Sequence, residues 1–199
     1  MINCGEESID PFTDDNTKIV NADSSDGNAI TRIKKLPIYL AENGVTIKAS
    51  NNAIIGESYE LGEFSYLVVD SVILYEMVLN DEDMRYVVTT RITNLSYINF
   101  TRRSFPYFNQ DISSWDLSNV TNTSHMFYLT DGFNQNISFW DVSNITNMNS
   151  MFAGAQSFNQ DIDSWDVSNV SDCENFSRDA IAWIKPKPNF INCSVDDLD

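Results

Sequence analysis

The stretch "FNQDISSWD", residues 108–116, returns as "FNQNISFWD" from Phe133 and as "FNQDIDSWD" from Phe158. The starts are 25 residues apart, and the first two full units agree at 13 of 25 positions. A fixed period in this range marks a repeat architecture, in which no unit buries its apolar face alone and neighbours must stack. Upstream, "ITNLSYI" (92–98) matches the second half of a unit, so the array is entered mid-repeat. The segment "NFTRRSFPY" (99–107) lengthens the first join.

Phase assigns roles. Phe108, Phe133 and Phe158 recur, as do Ile112, Ile137 and Ile162, and Trp115, Trp140 and Trp165. Their alternation with Ser and Asn reads as core rungs rather than as an aromatic sugar platform. Asp116, Asp141 and Asp166 recur in "WD[LV]SN". Like charges stacked at strand spacing repel, and two arrangements could offset this: an Asx-turn for each carboxylate, or bound calcium. One carboxylate per unit is too few for the six to eight oxygens calcium takes, so no metal ligand is assigned. His125 is the sole histidine, and its phase equivalents are Tyr97 and Ser150. No Ser-His-Asp set, zinc cluster or Gly-rich phosphate loop is present. The expectation is a protein that is not an enzyme and takes no cofactor.

The formal net charge of −17 and the pI near 4.1 argue against nucleic acid as a partner. No Lys or Arg occurs between Arg103 and Arg178. Residues 1–34 are acid-rich and poor in large apolar groups, and are expected to form a disordered leader. Cys173 and Cys193 lie in the C-terminal segment and can close a disulfide, with two buried thiols as the alternative. A bridge would imply an oxidising compartment. Cys4 is then left over, ahead of an acidic Ser-rich stretch, and resembles the lipidated cysteine of a bacterial lipoprotein; an incidental free thiol is the competing reading.

Between residues 35 and 90 the pattern is mixed. "PIYLAE" and "VTIKAS" flank Asn43-Gly44, a strong hairpin signal, and "ESYEL" and "FSYLVVD" flank Gly62 as a second. "DSVILYEMVLND" predicts a helix capped by Asp70 or Ser71, with Ile73, Leu74, Met77 and Val78 on one face. "YVVTT" predicts a further strand.

The unit "FNQDISSWDVSNVTNM..MF..A..FNQDI" resembles the BspA-like bacterial surface-protein repeat of the mycoplasma-lipoprotein type, over about residues 91–180. Thr123, the 99–107 insertion and "CENFS" in the last copy depart from that pattern. The resemblance implies an α/β protein with a short right-handed leucine-rich-repeat-like solenoid. Each coil would pair a strand around "DISSW" with a short helical turn around "TNMNSMF". A hairpin-plus-helix cap at 35–90 would precede the array at 91–180, and a tail at 181–199 would close it.

The resemblance further implies an extracellular or cell-surface location, with a lipid anchor at Cys4 as the one link to a membrane. The partner expected is a protein or glycan, met by a monomeric recognition or adhesion module; a passive spacer or coat element is the alternative. Candidate contacts are the positions that differ between copies, Tyr128 and Leu129, and the insertion with Arg102, Arg103, Phe105 and Tyr107.

Overall fold

The computed structural model describes residues 17–22, 30–98 and 107–195. Strands β1 (Thr17–Ala22) and β2 (Ile30–Lys35) pair antiparallel. Both strands fall in or at the edge of the segment 1–34 expected to be a disordered leader; residues 1–16 and 23–29 of that segment lie outside the described residues.

β3 (Ile38–Leu40) and β4 (Ile47–Ala49) form the first predicted hairpin. Its connection is set by Asn43, whose Oδ1 accepts from the amides of Val45 and Thr46, and by Gly44 at φ +70°. β5 (Ser58–Leu61) and β6 (Phe64–Val68) form the second hairpin, and β7 (Val87–Val88) joins β6 in parallel. Between them, α1 (Ser71–Leu79) starts at Asp70, whose carboxylate accepts from the Val72 and Ile73 amides. It buries Leu74, Met77 and Val78. A small core of Ile38, Ile47, Ala49, Val68 and Val88 lies between the hairpins. A larger one runs from α1 through the repeats to Trp183.

Beyond Val88 the described residues contain neither helix nor strand. This overturns the leucine-rich-repeat-like solenoid of strand-and-helix coils: the chain is a small mixed α/β fold whose repeats are built from turns. The physical reason lies in the repeat's own polar residues. Asp111, Asp116 and Asn122 each accept, at Oδ1, the amide two residues on, and Asn136, Asp141 and Asn147 do the same one unit later. Three Asx-turns per unit offer the backbone closed local bonds in place of a ladder or a helix.

The turn units nevertheless stack in register. Asn94, Asn122, Asn147 and Asp172 are linked by single parallel bridges. In the middle of the array, amides of Thr123, His125, Phe127 and Leu129 donate to carbonyls of Asn147, Asn149, Met151 and Ala153. Met148, Ser150, Phe152 and Gly154 donate in turn to Asp172, Glu174, Phe176 and Arg178. Each unit's alternate amides therefore point at the next unit, which satisfies main chain that would otherwise be buried unpaired.

The side chains of "FNQDISSWD" complete this framework. The Phe108, Phe133 and Phe158 rings stack with centroids 5.8 and 5.9 Å apart, and Trp140 lies 6.3 Å from Trp165. Ile112, Ile137 and Ile162 are fully buried. The indole amines of Trp115, Trp140 and Trp165 donate to carbonyls of Met84, Ile112 and Ile137 in the preceding unit. Gln110, Gln135 and Gln160 donate to carbonyls of Glu82, Asn109 and Asn134. The stack thus begins at Met84, upstream of where the sequence pattern becomes visible.

It also ends later. The Oδ1 of Asn159 accepts from Ile184 and Lys185 as Asn134 accepts from Asn159. Trp183 packs edge-on against Phe158, 4.7 Å away. A bridge joins Cys173 to Cys193, across 20 residues.

Candidate functional site

The repeat face carries a ladder of residues at positive φ. Tyr97, His125, Ser150 and Asn175 form one row, at +53°, +60°, +53° and +54°; Leu129, Gly154 and Asp179 form another, at +56°, +72° and +59°. Gly, Asn, Asp and His enter this region at modest cost, but for bulky Leu and Tyr it is an outlier. The same φ recurs in each copy whatever the residue, so the conformation belongs to the turn of the repeat.

Three neighbouring units build a groove of about 540 Å³ there. The middle unit supplies a floor of Ser150, Ala153 and Gly154. All three are small and buried, and Gly154 leaves room for the Leu129 side chain, which would lie 2.5 Å from a Cβ added there. On one side stand His125, Tyr128 and Leu129; on the other, Asn175, Arg178 and Asp179. The groove exists because one copy carries small residues where both neighbours carry large ones.

The first wall is aromatic and ordered. The His125 ring stacks on Tyr97 with centroids 4.5 Å apart and planes 12° from parallel, and meets Tyr128 edge-on at 5.4 Å. Its Nδ1 is buried among these aromatic contacts, with no protein hydrogen-bond partner. The second wall is polar: Arg178 Nε lies 3.7 Å from the Asp179 carboxylate, and both side chains are largely exposed. Arg178 is the first cation after residue 103. A wall with paired opposite charges is close to neutral, yet offers both donors and acceptors.

The groove brings together two of the sequence candidates, Tyr128 and Leu129. Tyr107 stands elsewhere on the surface, beside Gly132, whose absent Cβ leaves space for the Tyr107 backbone. Arg102, Arg103, Phe105 and Cys4 lie outside the described residues. Sequence reasoning did not put Ser150, Asn175, Arg178 and Asp179 among the contacts. Their signal was available in the phase of the repeat, because Ser150 lies 25 residues from both His125 and Asn175, and Arg178 and Asp179 lie 50 from Tyr128 and Leu129 across the groove.

A second depression, lined by Asp81, Asp83, Arg85, Gln110 and Asp111 among others, is more open. There Arg85 pairs with Asp83 at 2.7 Å and is engaged. The side-chain hydrogen bond from Arg85 holds the Asp83 carboxyl below its ordinary value.

The Asp rungs serve turns. Asp141 Oδ1 accepts from the Ser143 amide and hydroxyl, and Asp166 Oδ1 from the Ser168 amide. Ser168 likewise lowers the Asp166 carboxyl from its usual range, by side-chain and then backbone hydrogen bonding. Asp116 alone is buried, accepting from Thr90 Oγ1 at 2.6 Å and Ser118 Oγ at 2.7 Å, with Lys48 Nζ 3.6 Å away. Among the described residues no group of three His, Cys, Asp or Glu converges as a metal site would require.

A family model described as "Mycoplasma protein of unknown function, DUF285" matches residues 74–195, a span that includes every groove residue. No curated protein and no solved structure matches the chain.

Proposed function

The chain belongs to that mycoplasma family of unknown function, and from this premise we propose that it is a non-enzymatic recognition module of the extracellular space or cell surface. It reads a protein or glycan partner through the groove between its second-half repeats. The observation that carries this is that three of the positions that differ between copies, His125/Ser150/Asn175, Tyr128/Ala153/Arg178 and Leu129/Gly154/Asp179, together line one groove, while recurring residues such as Phe133, Ile137 and Trp140 are spent on stacking.

The Cys173–Cys193 bridge favours an oxidising compartment. No helix among the described residues is long and apolar enough to cross a membrane. A finer kinship with BspA-like surface repeats, and a lipid anchor at Cys4, belong to the same reading.

The repeat supplies its own test variants. His125→Ser and Tyr128→Ala copy residues that the next unit already carries at equivalent positions, so both are compatible with the turn layer. Labelled full-length protein should bind whole host cells, and the double variant should lose that binding while melting at the same temperature. Undiminished binding by the folded variant would exclude the groove; no binding by the parent chain would favour a passive spacer.

A further inference from the structure

Resting on the groove as a recognition site, we propose that its ligand is a neutral saccharide, one pyranose ring lying between the aromatic and the polar wall. A pyranose has an apolar C–H face and a rim of hydroxyls. The groove offers the matching pair of surfaces: Tyr128 and His125, the latter backed by Tyr97, on one side, and Asn175, Arg178 and Asp179 on the other. Aromatic faces pack against apolar C–H groups, while a carboxylate, a guanidinium and an amide together supply acceptors and donors for hydroxyls. A volume of about 540 Å³ falls in the range of small-molecule sites.

Two observations turn the choice away from other ligands. An extended peptide is held mainly by free main-chain donors and acceptors along an edge. Here the amides of Tyr128, Leu129, Ser150 and Gly154 already donate to His125, Ala153, Glu174 and Arg178. Along the first wall and the floor, recognition is left to side chains, as suits a sugar. An anionic ligand would meet a chain of net charge −17, and the one guanidinium in the groove already faces a carboxylate.

The test uses the full chain with methyl glycosides of glucose, galactose, N-acetylglucosamine and N-acetylgalactosamine, with N-acetylneuraminic acid as an anionic control. Saturation-transfer NMR should show at least one neutral glycoside contacting the protein through its ring protons. Tyr128→Ala and Asp179→Ala should each weaken that glycoside about tenfold. Leu129→Gly, which copies Gly154, should weaken binding without lowering the melting temperature. Affinity should change little between about 0.05 and 0.5 M salt, as a neutral ligand requires.

Silence from every neutral glycoside, or binding confined to N-acetylneuraminic acid, overturns the proposal. Whole cells separate this failure from that of the recognition site itself. Binding that survives periodate oxidation of surface sugars, but is lost on protease treatment and in the groove variants, would make the partner a protein and leave the recognition reading standing. Binding unaffected by groove variants would remove both.

Discussion

Asp116 and Asp141 occupy the same place in the repeat, yet the structure gives them different weight. Both close an Asx-turn onto a serine, but Asp116 is buried beneath the β3–β4 hairpin, where Thr90, Ser118 and Lys48 all depend on it. Removing one partner from a buried hydrogen-bonded group strands the others. Asp116→Ala should therefore cost about 2–3 kcal/mol, and Asp141→Ala about 0.5 kcal/mol. Urea denaturation of the two variants checks this, and equal losses would contradict the asymmetry. The sequence allows the turn role to be read from "WDLSN", because Asp followed by Ser at two residues is an Asx-turn pattern. It does not allow the burial of Asp116 to be read, since that depends on a hairpin nearly 70 residues upstream. His125 shows the same limit: phase marks it as variable, but only the fold stacks it on Tyr97.

At the level of elements, the hairpins and α1 form where Asn43-Gly44, Gly62 and Asp70 place their turns and cap, because those signals are local. The repeat units depart from the expected strands and helical turns, although their apolar period is compatible with either. The decision is made by the density of Asn, Asp and Ser, whose side chains capture backbone amides two residues on. Apolar phase shows which residues are inside, and turn chemistry shows what backbone carries them. The C-terminal tail is an element that the pattern conceals, since Trp183 stands where the other units have Phe and the spacing then shortens. Its hold on the array is the bridge to Cys173. Cys193→Ser should lower stability by roughly 3 kcal/mol on the loop-entropy account. The same loss should follow reduction of the parent protein, measured as a drop in denaturant midpoint. An unchanged midpoint would mean that Trp183 and Phe190 hold the tail unaided.

For the whole molecule, acid is the condition under which a chain with 29 carboxylates and 12 basic residues is most exposed. Asp83 and Asp166 are held below the ordinary aspartate value of 3.8 by Arg85 and Ser168. A depressed folded value means that the stabilisation is complete above the unfolded value and is lost as pH falls through the folded one. The melting temperature should hold down to about pH 4 and fall below it. The decline should be shallower in an Asp83→Asn/Asp166→Asn variant; an identical acid limb in that variant would assign the loss to other carboxylates. The bonds between units have a different consequence. Those around Thr123, Met148 and Asp172 join main-chain atoms about one repeat apart, and the side-chain bonds are made by Trp, Gln and Asn residues that recur in each copy. Loss or gain of one 25-residue segment by recombination between copies therefore leaves each remaining donor facing an acceptor. Such an event would change which three units lie side by side, exchanging one wall of the groove for another while the framework persists. Heredity could thus rewrite the binding face of this chain a whole unit at a time.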